Sequence, residues 1–93
     1  MNIQAFEASL QADAYDEITT VEKPAAYKMG DHKHPFDACA LITLGEITIA
    51  VNGVASRYRV GDIFRLPAHT AHTEAAGPEG VAYRVGRRHS VSP

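Results

Sequence analysis

Ile3, Phe6 and Leu10 recur at helical spacing near the start of the chain, with Gln4, Glu7, Ser9 and Gln11 on the other side. That pattern predicts a short amphipathic helix over about residues 2–13, with Asn2 as its N-cap. So short a helix is marginal alone and is expected to pack on the rest of the molecule. From Glu17 the period changes. Glu17–Glu22 is rich in β-branched residues and ends against Pro24. Ala25–Met29 reads as a second strand stopped by Gly30-Asp31. Ala38–Val51 is almost wholly apolar or β-branched, interrupted at Gly45-Glu46, and Asn52-Gly53 after it is a type I′ hairpin signal. Arg57–Val60, Ile63–Leu66, Ala71–Ala75 and Val81–Val85 complete the set, with a turn expected at Gly77-Pro78-Glu79-Gly80.

Seven or eight short strands with turn signals every eight to twelve residues predict an all-β sandwich or barrel. Strands and helices do not alternate, so a doubly wound fold is excluded. The expected organisation is one domain over residues 1–93: the helix, a barrel over about 17–86, and a solvated tail over 87–93 that includes His89.

Composition narrows the function. With 45% hydrophobic and 22% charged residues the chain is not of the disordered class. A net charge of -2 leaves no basic footprint for nucleic acid. No apolar run approaches the roughly 20 residues of a membrane helix. The acidic N-terminal stretch lacks a secretory signal's basic start, and one cysteine makes no internal disulfide, so a cytoplasmic location is expected. Histidine stands out, with five in the chain.

His32-Lys33-His34 places two imidazoles two residues apart, on one face of a strand, where both can converge on one ion. His72 follows 38 residues after His34, within Pro67-Ala68-His69-Thr70-Ala71-His72. Three histidines from two strands make an open transition-metal site suited to Fe, Zn, Ni, Cu or Mn. If His32 and His34 face inward, strand parity turns Phe36, Ala38, Ala40 and Ile42 inward too, and Asp37, Cys39 and Leu41 outward. On that parity Cys39 packs as a small hydrophobe and Asp37 caps a turn or meets solvent. Glu74 shares a face with His72. It can reach an ion, orient an imidazole or act as a base. His69 reads as a residue of the barrel mouth.

These residues resemble the cupin family. Its first motif runs Gly, five residues, His-x-His, three or four residues, Glu, six residues, Gly. Its second runs Gly, five residues, Pro-x-Gly, two residues, His, three residues, Asn. His32, His34 and Gly45 stand at the first motif's spacings and Gly61, Pro67 and His72 at the second's, over about residues 17–86. The chain departs from the pattern at Ala26 and His69, where the family has Gly, and at Ala76, where it has Asn. The motif's Glu, usually the fourth ligand in cupins, would fall at Ala38 or Cys39.

The resemblance implies a cupin double-stranded β-helix, a jelly-roll barrel, behind a short N-terminal helix. It implies a divalent metal (Fe, Zn, Ni or Mn) on His32, His34 and His72, with the fourth position open to Glu74, Cys39, Asp37 or water and Glu74 as the candidate catalytic group. Cupin oxygenases with three histidines on iron show that loss of the Glu does not exclude catalysis. One reading is therefore a metal-dependent enzyme of dioxygenase or isomerase type on a small organic substrate. Another is a non-catalytic sensor or store of metal or small ligand, and a third is a barrel whose site has decayed. The pocket is expected to be lined by Phe36, Ala38, Ala40 and Ile42 with Phe64 or Leu66, with Tyr83 and Arg65 in or out, and Tyr27, Tyr58 and Tyr83 as sheet packing. A homodimer is expected, from the thin core of so short a chain and from Leu41, Cys39 and the helix as apolar surface. No nucleic-acid or membrane partner is expected.

Overall fold

The computed structural model describes residues 1–89, so the end of the expected tail lies outside the described residues. One helix precedes six strands: α1 (Ile3–Ala12), β1 (Glu17–Lys23), β2 (Lys28–His32), β3 (Phe36–Val51), β4 (Val54–Arg59), β5 (Ile63–Leu66) and β6 (His72–His89). The Asn2 side chain accepts from the Ala5 N–H at 2.9 Å and caps α1 as its position predicts. Phe6 and Leu10 are buried, whereas Ile3 is exposed.

Two long strands organise the barrel. The first half of β3 lies between β5 (Ala38↔Leu66 to Leu41↔Ile63) and the second half of β6 (Phe36↔His89 to Leu44↔Ala82), which in turn pairs with β1 (Glu17↔Arg87 to Lys23↔Val81). The second half of β3 lies between β4 (Glu46↔Arg59 to Val51↔Val54) and the first half of β6 (Ile47↔Ala76 to Ala50↔Thr73), which pairs with β2. The result is two four-stranded antiparallel layers, β1-β6-β3-β5 and β2-β6-β3-β4, that share β3 and β6. This is the jelly-roll barrel of the expected fold class.

The bend between the layers explains the miscounted strands. Between the pairs Gly45↔Val81 and Ile47↔Ala76, one residue of β3 faces four of β6, Gly77-Pro78-Glu79-Gly80. That segment is therefore a wide bulge inside a continuous strand and not a turn between two. Pro78 is tolerated because a bulged residue owes the ladder no N–H. Gly45 has φ +66°, and a Cβ there would strike the Gly80 carbonyl oxygen. Two further boundaries move. Tyr27 N–H closes a turn on Pro24 O, so β2 starts at Lys28 and runs through Gly30. Arg87, Arg88 and His89, expected in the tail, are the end of β6.

The core between the layers contains Ala38, Ala40, Ile42, Ile47, Ile49, Phe64, Val81, Tyr83 and Val85. A second cluster lies outside the first layer, where Phe6 and Leu10 of α1 cover Cys39 and Leu41 beside Tyr15 and Ile18. Gly86 makes that contact possible, since a Cβ there would sit 2.9 Å from both Leu10 methyl carbons. Cys39 and Leu41, two of the apolar residues expected to serve a dimer, are thus covered by the chain's own helix. No helix of the described residues is long and apolar enough to cross a membrane.

Candidate metal centre

The inward alternation of β3 continues into the site. Phe36 is the last apolar inward residue before His34, whose ring stacks on it at 4.9 Å between centroids and 15° between planes. His32 ends β2, and the register sets it directly opposite His72, the first residue of β6. Glu74 follows on the same face of β6. One ligand atom each from His32, His34, His72 and Glu74 lies within 4.8 Å of the others. His72 is almost fully buried, at 1% exposure, and the Glu74 side chain is nearly so, at 11%.

Hydrogen bonds orient two of the rings. His32 Nδ1–H donates to Gly30 O at 2.7 Å, and His72 Nδ1–H donates to Thr70 O at 2.9 Å. A carbonyl oxygen only accepts, so each Nδ1 carries a proton, and Nε2 is the ring atom that each histidine turns toward the centre. Both Nε2 atoms lie 3.0 Å from Glu74 Oε2. An ionised carboxylate accepts only. Two ring nitrogens and a carboxylate oxygen therefore converge on one point; with both rings neutral they are three lone-pair donors, an arrangement that a cation satisfies. Glu74 Oε1 faces the Tyr27 hydroxyl at 3.5 Å.

The electrostatics agree with that donor set. Burial, and then the neighbouring His32 and His72, hold the His34 imidazole below its usual pKa, in the neutral form that ligates metal. Burial, and then the charge of Glu74, push the Tyr83 and Tyr27 phenols up, so both stay protonated donors.

The loop before His72 is tied to the first motif. His69 N–H donates to His34 O at 2.7 Å, and Ala68 N–H donates to Asp37 Oδ1 at 2.7 Å. Asp37 also accepts from Arg88 Nη2 at 3.0 Å. It caps the loop from the outer face and does not enter the centre; Cys39 lies under α1. The sequence reading thus places His32, His34, His72 and Glu74 together as found, with Ala38, Phe64 and Leu66 on the adjoining cavity. Ala40 and Ile42 lie deeper in the core, with no exposed surface. Tyr83 points in and Arg65 is exposed.

Two residues were missed. Tyr27, read as sheet packing, meets Glu74. Arg87, read as tail, lines the cavity beside the centre. Its signal was present in the alternation Val81, Tyr83, Val85, Arg87, which puts the arginine on the inward face. The family pattern also explains two backbone oddities. Ala26 and His69, which stand where cupins have Gly, adopt φ +66° and +64°.

The described fold agrees with the comparisons. A search of curated proteins finds no match. Among solved structures, a protein of unknown function from Rhizobium leguminosarum superposes with TM-score 0.74 at 14% identity, over 78% of this chain and 69% of that one. KdgF from a Halomonas species gives TM-score 0.64 at 21% identity, over 78% of this chain and 68% of that one. The DMSP lyase DddQ from Ruegeria pomeroyi gives TM-score 0.70 at 22% identity, over 82% of this chain but only 39% of the lyase. At these identities the likeness concerns the fold alone. The model of the cupin domain matches residues 19–83, which takes in both histidine motifs and most of the barrel, and the chain belongs to the cupin family.

Proposed function

We propose that this protein is a small single-domain cupin that binds a divalent transition metal through Nε2 of His32, Nε2 of His72 and the His34 imidazole. Glu74 Oε2 supplies the fourth donor. The observation that carries the reading is the convergence of two Nε2 atoms and a carboxylate oxygen, with both Nδ1 atoms already committed to backbone carbonyls. Three nitrogens and one oxygen suit Fe, Zn, Ni or Mn.

The same centre supports catalysis on a small organic ligand. A bound metal would act there as a Lewis acid, or for iron as a site of O₂ chemistry. The chain's own contribution is positional. Glu74 keeps Oε1 toward Tyr27, so that a proton can be held between carboxylate and phenol while Oε2 serves the metal. Phe36, Phe64 and Val85 give the cavity an apolar wall. The narrowness of that cavity, about 40 Å³, favours a second reading, a non-catalytic metal or ligand module.

Elemental analysis of protein purified without a histidine tag tests the centre. Near-stoichiometric metal is expected in the wild type, and His72→Ala should weaken binding by more than the roughly 100-fold that loss of an outer-sphere partner can bring. No metal uptake near pH 7.5, where free imidazole with a pKa of about 6.5 is mostly neutral, would refute it. O₂ uptake by the Fe(II) protein with candidate diketones or thiols then separates enzyme from binding module.

A further inference from the structure

Of the two positions where cupins place their metal-binding Glu, Ala38 and Cys39, Ala38 is the one that faces inward, and the register pairs it with Arg87 of β6. Arg87 is inward by alternation and lies over the Phe36 ring, 5.2 Å from guanidinium carbon to centroid. Its Nη1 donates to Glu17 Oε1 at 2.9 Å, which fixes the plane of the guanidinium. Its Nε is buried and, among the described residues, has no hydrogen-bond partner. A buried N–H donor left unpaired is rare and unfavourable, and it asks for an acceptor.

The space around it has the right size. Ala38, Arg87, His34, His72, Glu74 and Tyr83 line the cavity of about 40 Å³. A water needs roughly 10–15 Å³ by such a measure, so the cavity takes about three small atoms, the size of one carboxylate group. A second cavity of about 180 Å³ shares His34, Glu74, Tyr83 and Arg87 with the first and opens past Lys23, Tyr27 and Met29. The larger space can take the remainder of a ligand, and Lys23 sets a positive charge at its entrance.

We propose that the room at Ala38 is a receptor for a ligand's carboxylate, held by Arg87 on one side and by the metal on the other. The substrate class is therefore a small organic acid, whose carboxylate stands where other cupins have their own Glu. The metal half of this proposal rests on the centre argued above; the Arg87 half does not. A guanidinium suits the task because it stays charged and offers adjacent N–H groups in a fixed plane.

Acetate is the probe, with Zn(II) as a diamagnetic metal and the Arg87 Nε–H resonance, identified by its absence in Arg87→Gln, as the readout. In the Zn(II)-loaded protein, acetate should move that resonance to saturation. Affinity by calorimetry should fall about tenfold or more in Arg87→Gln, as expected for loss of a charge-assisted hydrogen bond. Ala38→Glu should move the resonance without acetate and abolish the acetate response. A Zn(II)-loaded protein whose Arg87 resonance ignores acetate overturns the proposal, even if Ala38→Glu does not fold. So does Arg87→Gln that binds acetate as tightly as wild type. If the protein takes up no Zn(II), the metal reading has failed separately. The metal-free titration then decides alone: a saturable shift supports the Arg87 receptor, and no shift overturns it.

Discussion

The two faces of β3 carry neighbouring residues to opposite fates. Phe36, Ala38, Ala40 and Ile42 face the barrel interior and lead to the histidines, whereas Cys39 and Leu41 lie under α1 and Asp37 ties down a loop on the same outer side. A sequence scan sees a carboxylate and a thiol within five residues of His34 and takes both as candidate ligands. The two-residue period of the strand removes both, and the carboxylate that does arrive, Glu74, comes from another strand. Nearness along the chain is therefore a poor guide to a barrel site, and parity is a good one. The inner face should control metal and ligand, and the outer face should control stability.

The largest effect expected on the outer face is that of Leu10→Ala. Leu10 is 1% exposed and packs on Cys39, Leu41 and Gly86. Its truncation should destabilise the protein by about 2–4 kcal/mol in denaturant titration. Metal affinity of the folded fraction should stay within about threefold of wild type, because α1 packs on Cys39 and Leu41 of the outer face. The Cys39 thiol reports on the same contact. Burial pushes its pKa up, so it should resist a thiol reagent in the native protein. Labelling should quicken in Leu10→Ala. Equal labelling rates in both proteins would show that α1 does not guard this face.

Asp37 tests the comparison where it is weakest, since an outer residue holds the loop that delivers His72. Asp37→Ala removes the acceptor of Ala68 N–H and should cost about 1–2 kcal/mol. It should also weaken metal binding by about tenfold, the low end of the outer-sphere range. The Ala68 N–H, and then the hydrogen bond from Arg88, hold the Asp37 carboxyl below the usual carboxylate range. A depressed pKa in the folded state means stability that is complete above the unfolded value, about 3.9, and lost as pH falls through the lower folded value. The stability gap between wild type and Asp37→Ala should therefore narrow below about pH 4. A constant gap from pH 7 to pH 3 would count against the hydrogen bonds as its source.

How much of this was legible depended on the range of the signal. Alternation within β3 named the inward residues, and the spacings around His32, His34, Gly61, Pro67 and His72 named the family and the centre. Gly77-Pro78-Glu79-Gly80 misled because its turn chemistry is local, whereas the pairing that makes it a bulge comes from β3, some thirty residues away. Arg87 was missed for a related reason. A basic pair near the end of a chain reads as solvated, and only the ladder with β1 and β3 carries the inward alternation that far. Asp37 and Tyr27 act through contacts of 31 and 47 residues' separation, for which a single sequence holds no period.

The smallest effect expected tests whether the barrel keeps the family's backbone where it lacks the family's residues. Gly45 and Gly61 occupy positive φ at motif positions, and so do Ala26 and His69, which are both exposed. A side chain in the left-handed region costs roughly 1–2 kcal/mol, and glycine relieves it at the expense of about 0.4–1 kcal/mol of unfolded-chain entropy. Ala26→Gly and His69→Gly should therefore each stabilise the protein, by about 0.5–1 kcal/mol. The two should add, since they sit in separate turns. Metal affinity should not change in Ala26→Gly, whose turn contributes Tyr27 but none of the four ligand candidates. In His69→Gly it should hold as well, because the link between the two histidine motifs is the backbone N–H of residue 69, donated to His34 O, and glycine keeps it. If either substitution destabilises the protein in denaturant titration, the left-handed backbone at that position is not the conformation the motif preserves.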